Sequence, residues 1–305
     1  MKLDLSVYLE MLTYKRPYGS EYKFAEQFLA PLGIVHDPIT DNWMLSIGES
    51  DTIFTCHIDT VHHEAEQQKI IYAEDMGIVY KDDKQPLGAD DASGMFIMMN
   101  MVKHKVPGLY LFHVGEECGG IGSDAFALSY EDILKAYNKV ISFDRKGQKD
   151  IITHQAGGRC CSDVFAKALS RLLSCSEDTF RPDDTGLFTD SANYTHLISE
   201  CTNVSVGYEA EHTHAEMQDV NFLMRLIDKC IVVDWDSLPV ERDPTVQEFG
   251  WGGYGSTEYY DDMLTYSELM ALVVGFPDEA ANLLYNLQIT VSDVEKECIQ
   301  MEQLQ

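Results

Sequence analysis

A chain of 305 residues with 45% hydrophobic content can bury a sizeable core and is not a disordered protein. Its 51 acidic against 22 basic residues give a formal net charge of −29, which opposes binding to nucleic-acid phosphates or anionic membranes and favours solubility. Neither nucleic acid nor membrane is expected as a partner.

The opening MKLDLSVYLEML carries Asp4 and Glu10 inside its apolar run, and no small-residue cleavage site follows, so no export signal is expected. No uninterrupted apolar stretch approaches the roughly 20 residues that a membrane span requires. Eight scattered cysteines without CxxC spacing read as reduced core thiols, which points to the cytoplasm. Buried strands are expected at 52–57 (TIFTCH), 109–114 (LYLFHV), 140–143 (VISF) and 203–207. Helices are expected at 93–105, 162–173 and 218–235. This alternation predicts an α/β three-layer sandwich, a mostly parallel central sheet flanked by helices. The first three strands each run into a polar cluster at the C-terminal end, where open α/β sheets place their sites.

The expected organisation is a catalytic domain over 1–238, a linker or surface loop over 239–264 and a small helical extension over 265–305. The loop contains the glycine-rich, aromatic and acidic run EFGWGGYGSTEYYDD. The extension carries short helices at 266–274, 278–287 and 292–303, with Pro277 opening the middle one. It is a candidate surface for homo-oligomer formation.

Five clusters have the composition of a two-metal site: His57-Ile58-Asp59, Asp90-Asp91, Glu116-Glu117, Asp144, and His212-Thr213-His214-Ala215-Glu216. Zinc takes imidazole nitrogen and carboxylate oxygen, and a ligating histidine usually passes its other N–H to a carboxylate. Paired acids at strand ends repel each other and lose hydration unless cations neutralise them, so a merely structural origin explains them poorly. His113, inside an apolar strand, reads as a satisfied core histidine. The methionines at 95, 98, 99 and 101 read as helix packing.

The runs GADDASG (88–94), GEECGGIGS (115–123) and HIDT (57–60) resemble the signature motifs of the co-catalytic di-zinc aminopeptidase and deacylase superfamily. That superfamily contains leucyl aminopeptidases, peptidase T-like tripeptidases and acetylornithine-type deacetylases. The resemblance covers roughly residues 1–237. It implies two Zn²⁺ per chain, with Co²⁺ or Mn²⁺ as substitutes: His57 and Asp144 on one ion, Glu117 and His212 on the other, Asp90 bridging. It further implies that Asp59 orients His57, that Glu116 is the general base activating the attacking water, and that the Asp90–Asp91 bond is cis. His212 is preferred to His214 because H-T-x-x-E, ending in Glu216, follows the superfamily pattern. His62 and His63 fall outside its ligand positions. Asp144 is followed by Arg145-Lys146, where many relatives have small residues.

The stretches between His57 and Asp90 and between Asp144 and His212 are too short for an inserted domain of about 100 residues. The layout is therefore similar to the single-domain aminopeptidase branch. The implied activity is zinc-dependent cleavage of the amide bond of small peptides, most simply by an aminopeptidase. A deacylase or amidase acting on an acylated amine, and a non-catalytic metal-binding relative, are the alternatives. Without a lid domain, carboxylate-binding arginines from a partner domain are not available, and recognition should fall to acidic side chains holding a free α-amine. Asp190, in the 183–193 loop, and Glu216 are the candidate substrate contacts.

Overall fold

The structure, a computed structural model, describes residues 2–246. The expected extension over 265–305, and the loop beyond residue 246, lie outside the described residues. Residues 239–246 are tied to the body of the protein: the Glu241 and Arg242 amides donate to Glu200 Oε1, and the Arg242 guanidinium donates to the carbonyls of Thr195, Ile198 and Ser199.

The central sheet has eight strands in the order Val35–His36, Trp43–Ile47, Gly108–His113, Thr52–His57, Lys139–Arg145, Glu200–Ser205, Asp150–Ile152 and Arg181–Asp183. The pairs among Gly108–His113, Thr52–His57, Lys139–Arg145 and Glu200–Ser205 are parallel, whereas Trp43–Ile47 runs antiparallel at the flank. These central strands are buried on both faces, so their side chains alternate between two cores. Phe54, Tyr110, Phe112, Ile141 and Phe143 face the layer built from helices Leu5–Met11, Ala89–Lys103 and Val220–Cys230. Ile53, Leu109, Leu111 and Val140 face the opposite layer with Phe126 and Tyr194. The α/β sandwich is as the alternation predicts, and Met95, Met98, Met99 and Met101 are buried as helix packing.

A second, four-stranded antiparallel sheet was not expected. It runs Tyr208–Glu209, Met217–Asp219, Ile78–Tyr80, Ile71–Ala73 and carries the 210–216 turn. The expected helix over 218–235 is correspondingly shorter. Asp219 leaves the sheet and caps Phe222 N at 2.9 Å, the helix ends at Cys230, and the Trp235 indole donates to the Cys230 carbonyl. The expected helix over 93–105 is longer at its start, from Ala89, with non-helical angles at Asp90 and Asp91. No disulfide occurs among the described residues, and no described helix is long and apolar enough to cross a membrane.

Candidate metal centre

Parallel strands bring their C-terminal ends to one edge. His57 closes its strand, Asp144 is the penultimate residue of the neighbouring one, and Glu116 and Glu117 follow the end of Gly108–His113. Asp90 enters from the turn before its helix, through the cis Asp90–Asp91 bond. His57 Nε2 lies 2.9 Å from Asp90 Oδ1 and 3.4 Å from Asp144 Oδ1. His212 Nε2 lies 3.1 Å from Asp90 Oδ2 and 3.0 Å from Glu117 Oε1. Asp90 therefore turns one oxygen to each of two groups, His57 with Asp144 and His212 with Glu117. Within each set the donor atoms lie within 4.8 Å of one another. His57, Glu116 and Glu117 also lie within that distance, which puts Glu116 between the groups. A mixed imidazole and carboxylate set with a shared carboxylate fits two hard or borderline divalent cations.

The cluster is braced by bonds that span the sequence. Asp59 accepts the Glu116 amide at Oδ1 and the Glu117 amide at Oδ2, both at 3.1 Å. Its carboxylate lies 3.5 Å from His57 Nδ1, and its backbone carbonyl is nearer, at 3.1 Å. Asp59 thus holds the Glu-Glu turn more directly than it orients the imidazole. Asp144 accepts the Thr189 hydroxyl at 2.6 Å and the Tyr208 hydroxyl at 3.0 Å, while the Asn203 amide pairs with both of its backbone groups. Gly94 sits where a Cβ would lie 2.0 Å from the Phe143 carbonyl oxygen and 2.5 Å from the Asp91 carboxylate. No other residue fits between the Asp90 helix and the strand that carries Asp144.

Burial sets the electrostatics. It raises Glu116 well above the ordinary carboxylate range, Glu117 to about 7, and Asp144 upward. Asp90 is desolvated too, but the His212 and His57 imidazoles outweigh that and hold it low. His57 is pulled down by burial and, more strongly, up by Asp144, Asp59 and Asp90. Hydrogen bonds to Asp90 and Glu117 push His212 up to about 11. A cluster of this composition needs positive charge at its centre: divalent ions supply it when bound, and the imidazoles must otherwise carry it.

Three further histidines stand outside the cluster. His214 is exposed and outside the cluster. His62 is buried between the Thr60 hydroxyl and the Pro86 carbonyl, with both nitrogens engaged. His113 lies between Asn42 Oδ1 and the Tyr194 hydroxyl, a satisfied core histidine.

The two expected substrate contacts do not reach the pocket beside the cluster. Glu216 is 2% exposed, and its carboxylate accepts the backbone amides of Leu87, Gly88 and Asp90. This is a correction: Glu216 shapes the Asp90 turn and has no free face for substrate. Asp190 is 1% exposed, and neither of its oxygens has a hydrogen-bond partner in the structure. Burial pushes it up to about 8, and it does not line the pocket. The pocket, of about 150 Å³, is lined by Asp90, Glu116, Asp144 and His212 on one side. Ile152, Leu187 and Phe188 form an apolar wall, and Arg145, Lys146 and Glu211 complete the opening.

One residue escaped the sequence reading altogether. Arg16 is 1% exposed and donates to four carbonyls: Ile58 from Nε at 2.8 Å, Met11 and Tyr14 from Nη1, and Gly88 from Nη2 at 3.3 Å. Its backbone amide also meets the Thr60 hydroxyl at 3.0 Å. It links the segment after His57 to the turn before Asp90. Burial lowers it to about 10, against the pull of Asp59, Asp91 and Glu216. A lone arginine in a polar N-terminal run carries no signal of this, because every hydrogen bond of its guanidinium goes to a backbone carbonyl.

Against solved structures, the fold is similar to that of aminopeptidase PepT from Bacillus cereus, at 16% identity and a TM-score of 0.59 over 74% of this chain and 96% of that one. A tripeptidase from Staphylococcus aureus matches at 16% identity and a TM-score of 0.57, over 74% and 95%. The TET1 peptidase of Pyrococcus horikoshii, which can assemble into a tetrahedron or a large octahedral shell, matches at 14% and 0.55, over 75% and 98%. No protein-family profile matches the chain, and no curated protein matches it. At these identities the likeness establishes the fold: the chain has the α/β fold of these peptidases, as the motif resemblance implies.

Proposed function

We propose that the chain is a metallohydrolase that cleaves the amide bond of small peptides, with two divalent ions, in the first instance zinc, held by His57, Asp90, Glu117, Asp144 and His212. The observation that carries this reading is the division of Asp90 between two histidine and carboxylate groups. The bound ions supply Lewis acidity, polarising the scissile carbonyl and lowering the pKa of water. Glu116, buried beside both groups and left out of the Asp90 contacts, takes the proton of the attacking water and returns it to the leaving amine. Asp59 fixes the Glu116 and Glu117 backbone, Glu216 fixes the Asp90 turn, and Arg16 joins the two segments.

Removal of an N-terminal residue is the first reading, and the peptidase neighbours support it. A deacylase or amidase is the second, and a specific observation favours it. Among the described residues, the pocket's only acid besides the metal cluster and Glu116 is Glu211, already paired with Lys146, so none of them offers a free carboxylate to an α-amine. A neutral dipeptide amide and its N-acetyl form, assayed on zinc-loaded protein, separate the two. Loss of turnover on acetylation supports the aminopeptidase, and faster turnover of the acetylated compound replaces it with the deacylase. Self-assembly, as for the TET1 peptidase, is a further proposal, tested by light scattering of the full chain.

A further inference from the structure

The pocket holds two cations that the roles above leave unused. We infer that Arg145, with Lys146 beside it, receives a carboxylate of the substrate, so that the site acts on amides carrying an anionic group close to the scissile bond. This rests on the hydrolytic reading of the metal pair.

Arg145 directly follows Asp144 and lines the same pocket of about 150 Å³. Its side chain is 16% exposed and braced from one side. Nε lies 3.4 Å from Asp150 Oδ2, and Nη2 donates to Thr185 Oγ1 at 3.0 Å, with Asp183 Oδ1 at 3.9 Å. Nη1 has no partner among the described residues. A guanidinium fixed at two nitrogens loses little freedom when the third binds a ligand, and its planar fork suits a carboxylate. Lys146 Nζ lies 2.6 Å from Glu211 Oε1, which holds the ammonium at the pocket opening.

The bracing acids also set the range of the attraction. Asp150, Asp183 and Glu211 offset the two cations at a distance, so recognition works by contact and depends weakly on ionic strength. Leu187, 80% exposed, and Phe188 offer apolar surface on the same wall, so the anionic substrate also carries an apolar group.

The test pairs Leu-Phe with its C-terminal amide, and Glu-Phe amide with Gln-Phe amide, so that a main-chain and a side-chain carboxylate each meet a neutral twin. Turnover is read as kcat/KM on zinc-loaded wild-type and Arg145→Gln protein. Binding of the same four compounds is read by calorimetry on Glu116→Gln protein, with and without Arg145→Gln. We expect the carboxylate member of at least one pair to be favoured about tenfold or more, a ratio that falls to near one in Arg145→Gln. The pair that shows it identifies the source of the carboxylate. Equal treatment of both members of both pairs, a ratio that survives Arg145→Gln, or no binding of any compound overturns the proposal. Binding with the expected ratio but without hydrolysis sinks the hydrolytic reading and leaves the carboxylate site standing. Hydrolysis without the ratio does the reverse.

Discussion

His57 and His212 bring the same nitrogen to the same carboxylate, yet the side chain of one is 1% exposed at the end of a central strand and that of the other is 49% exposed in a turn. The strand half of the cluster inherits its geometry from the sheet: His57 and Asp144 sit on paired parallel strands, and Asp144 is further held by Thr189, Tyr208 and Asn203. The turn half depends on a short loop of the small sheet, where Ala210 and His212 both adopt left-handed angles, with φ of 56° and 62°. One half is preorganised by the core, and the other is placed by local backbone.

The largest effect should come from the residue both halves share. Asp90→Ala is expected to lose both ions by elemental analysis and activity with them, whereas two tightly retained ions would refute the bridging role. Glu116→Gln should lower turnover by about 10²–10⁴-fold with metal content near normal, and Glu117→Gln should shed metal instead. An exchange of those two phenotypes would reverse the roles within the Glu-Glu pair.

Next come the histidines themselves. His57→Ala leaves buried Asp90 and Asp144 without their imidazole, so it should cost about 3 kcal/mol of stability in the metal-free protein as well as an ion. His212→Ala should lose an ion with little change in denaturant midpoint. Equal destabilisation by the two would erase the distinction between strand half and turn half. Glu216→Ala should weaken metal binding by roughly 10–100-fold without removing any ligand, since it frees three backbone amides at the Asp90 turn.

The last effect concerns Glu21, 3% exposed with Oε1 unpartnered. Burial pushes it from an ordinary value of 4.5 up to about 7. Between those values the folded chain keeps a proton that the unfolded chain releases, so stability falls as pH rises through that window. Glu21→Gln should therefore match the wild type near pH 4 and exceed it at pH 8, by about 3 kcal/mol in denaturant melts.

Much of the strand half was legible in the sequence. Continuous apolar runs ending in HID, GEE and FD specify buried parallel strands with acids at one edge, and the spacing of GADDASG from them excludes an inserted domain. The turn half was legible only as a motif, because the strands Ile78–Tyr80 and Met217–Asp219 are three residues each and pair across the chain. Glu216 and Asp190 were misplaced for a related reason. Acidic residues near a site suggest substrate contact, but what decides their role is whether backbone amides 126 to 129 positions away fill the carboxylate, as for Glu216, or nothing does, as for Asp190. Arg145 was noticed as a departure after Asp144, and only the bracing by Asp150 and Thr185 gives that departure a use.

The Arg16 clamp ties the first turns of the chain to the proposed metal centre. Because its guanidinium holds the backbone just after His57 and just before Asp90, whatever fixes those two residues also anchors the N-terminal segment. Thermodynamic reciprocity then gives that segment a reporter role: chelation should loosen residues 2–16, and their protection from proteolysis should rise with metal occupancy. A tag or deletion at the N-terminus is for the same reason expected to alter metal binding, even though the segment supplies none of the proposed ligands.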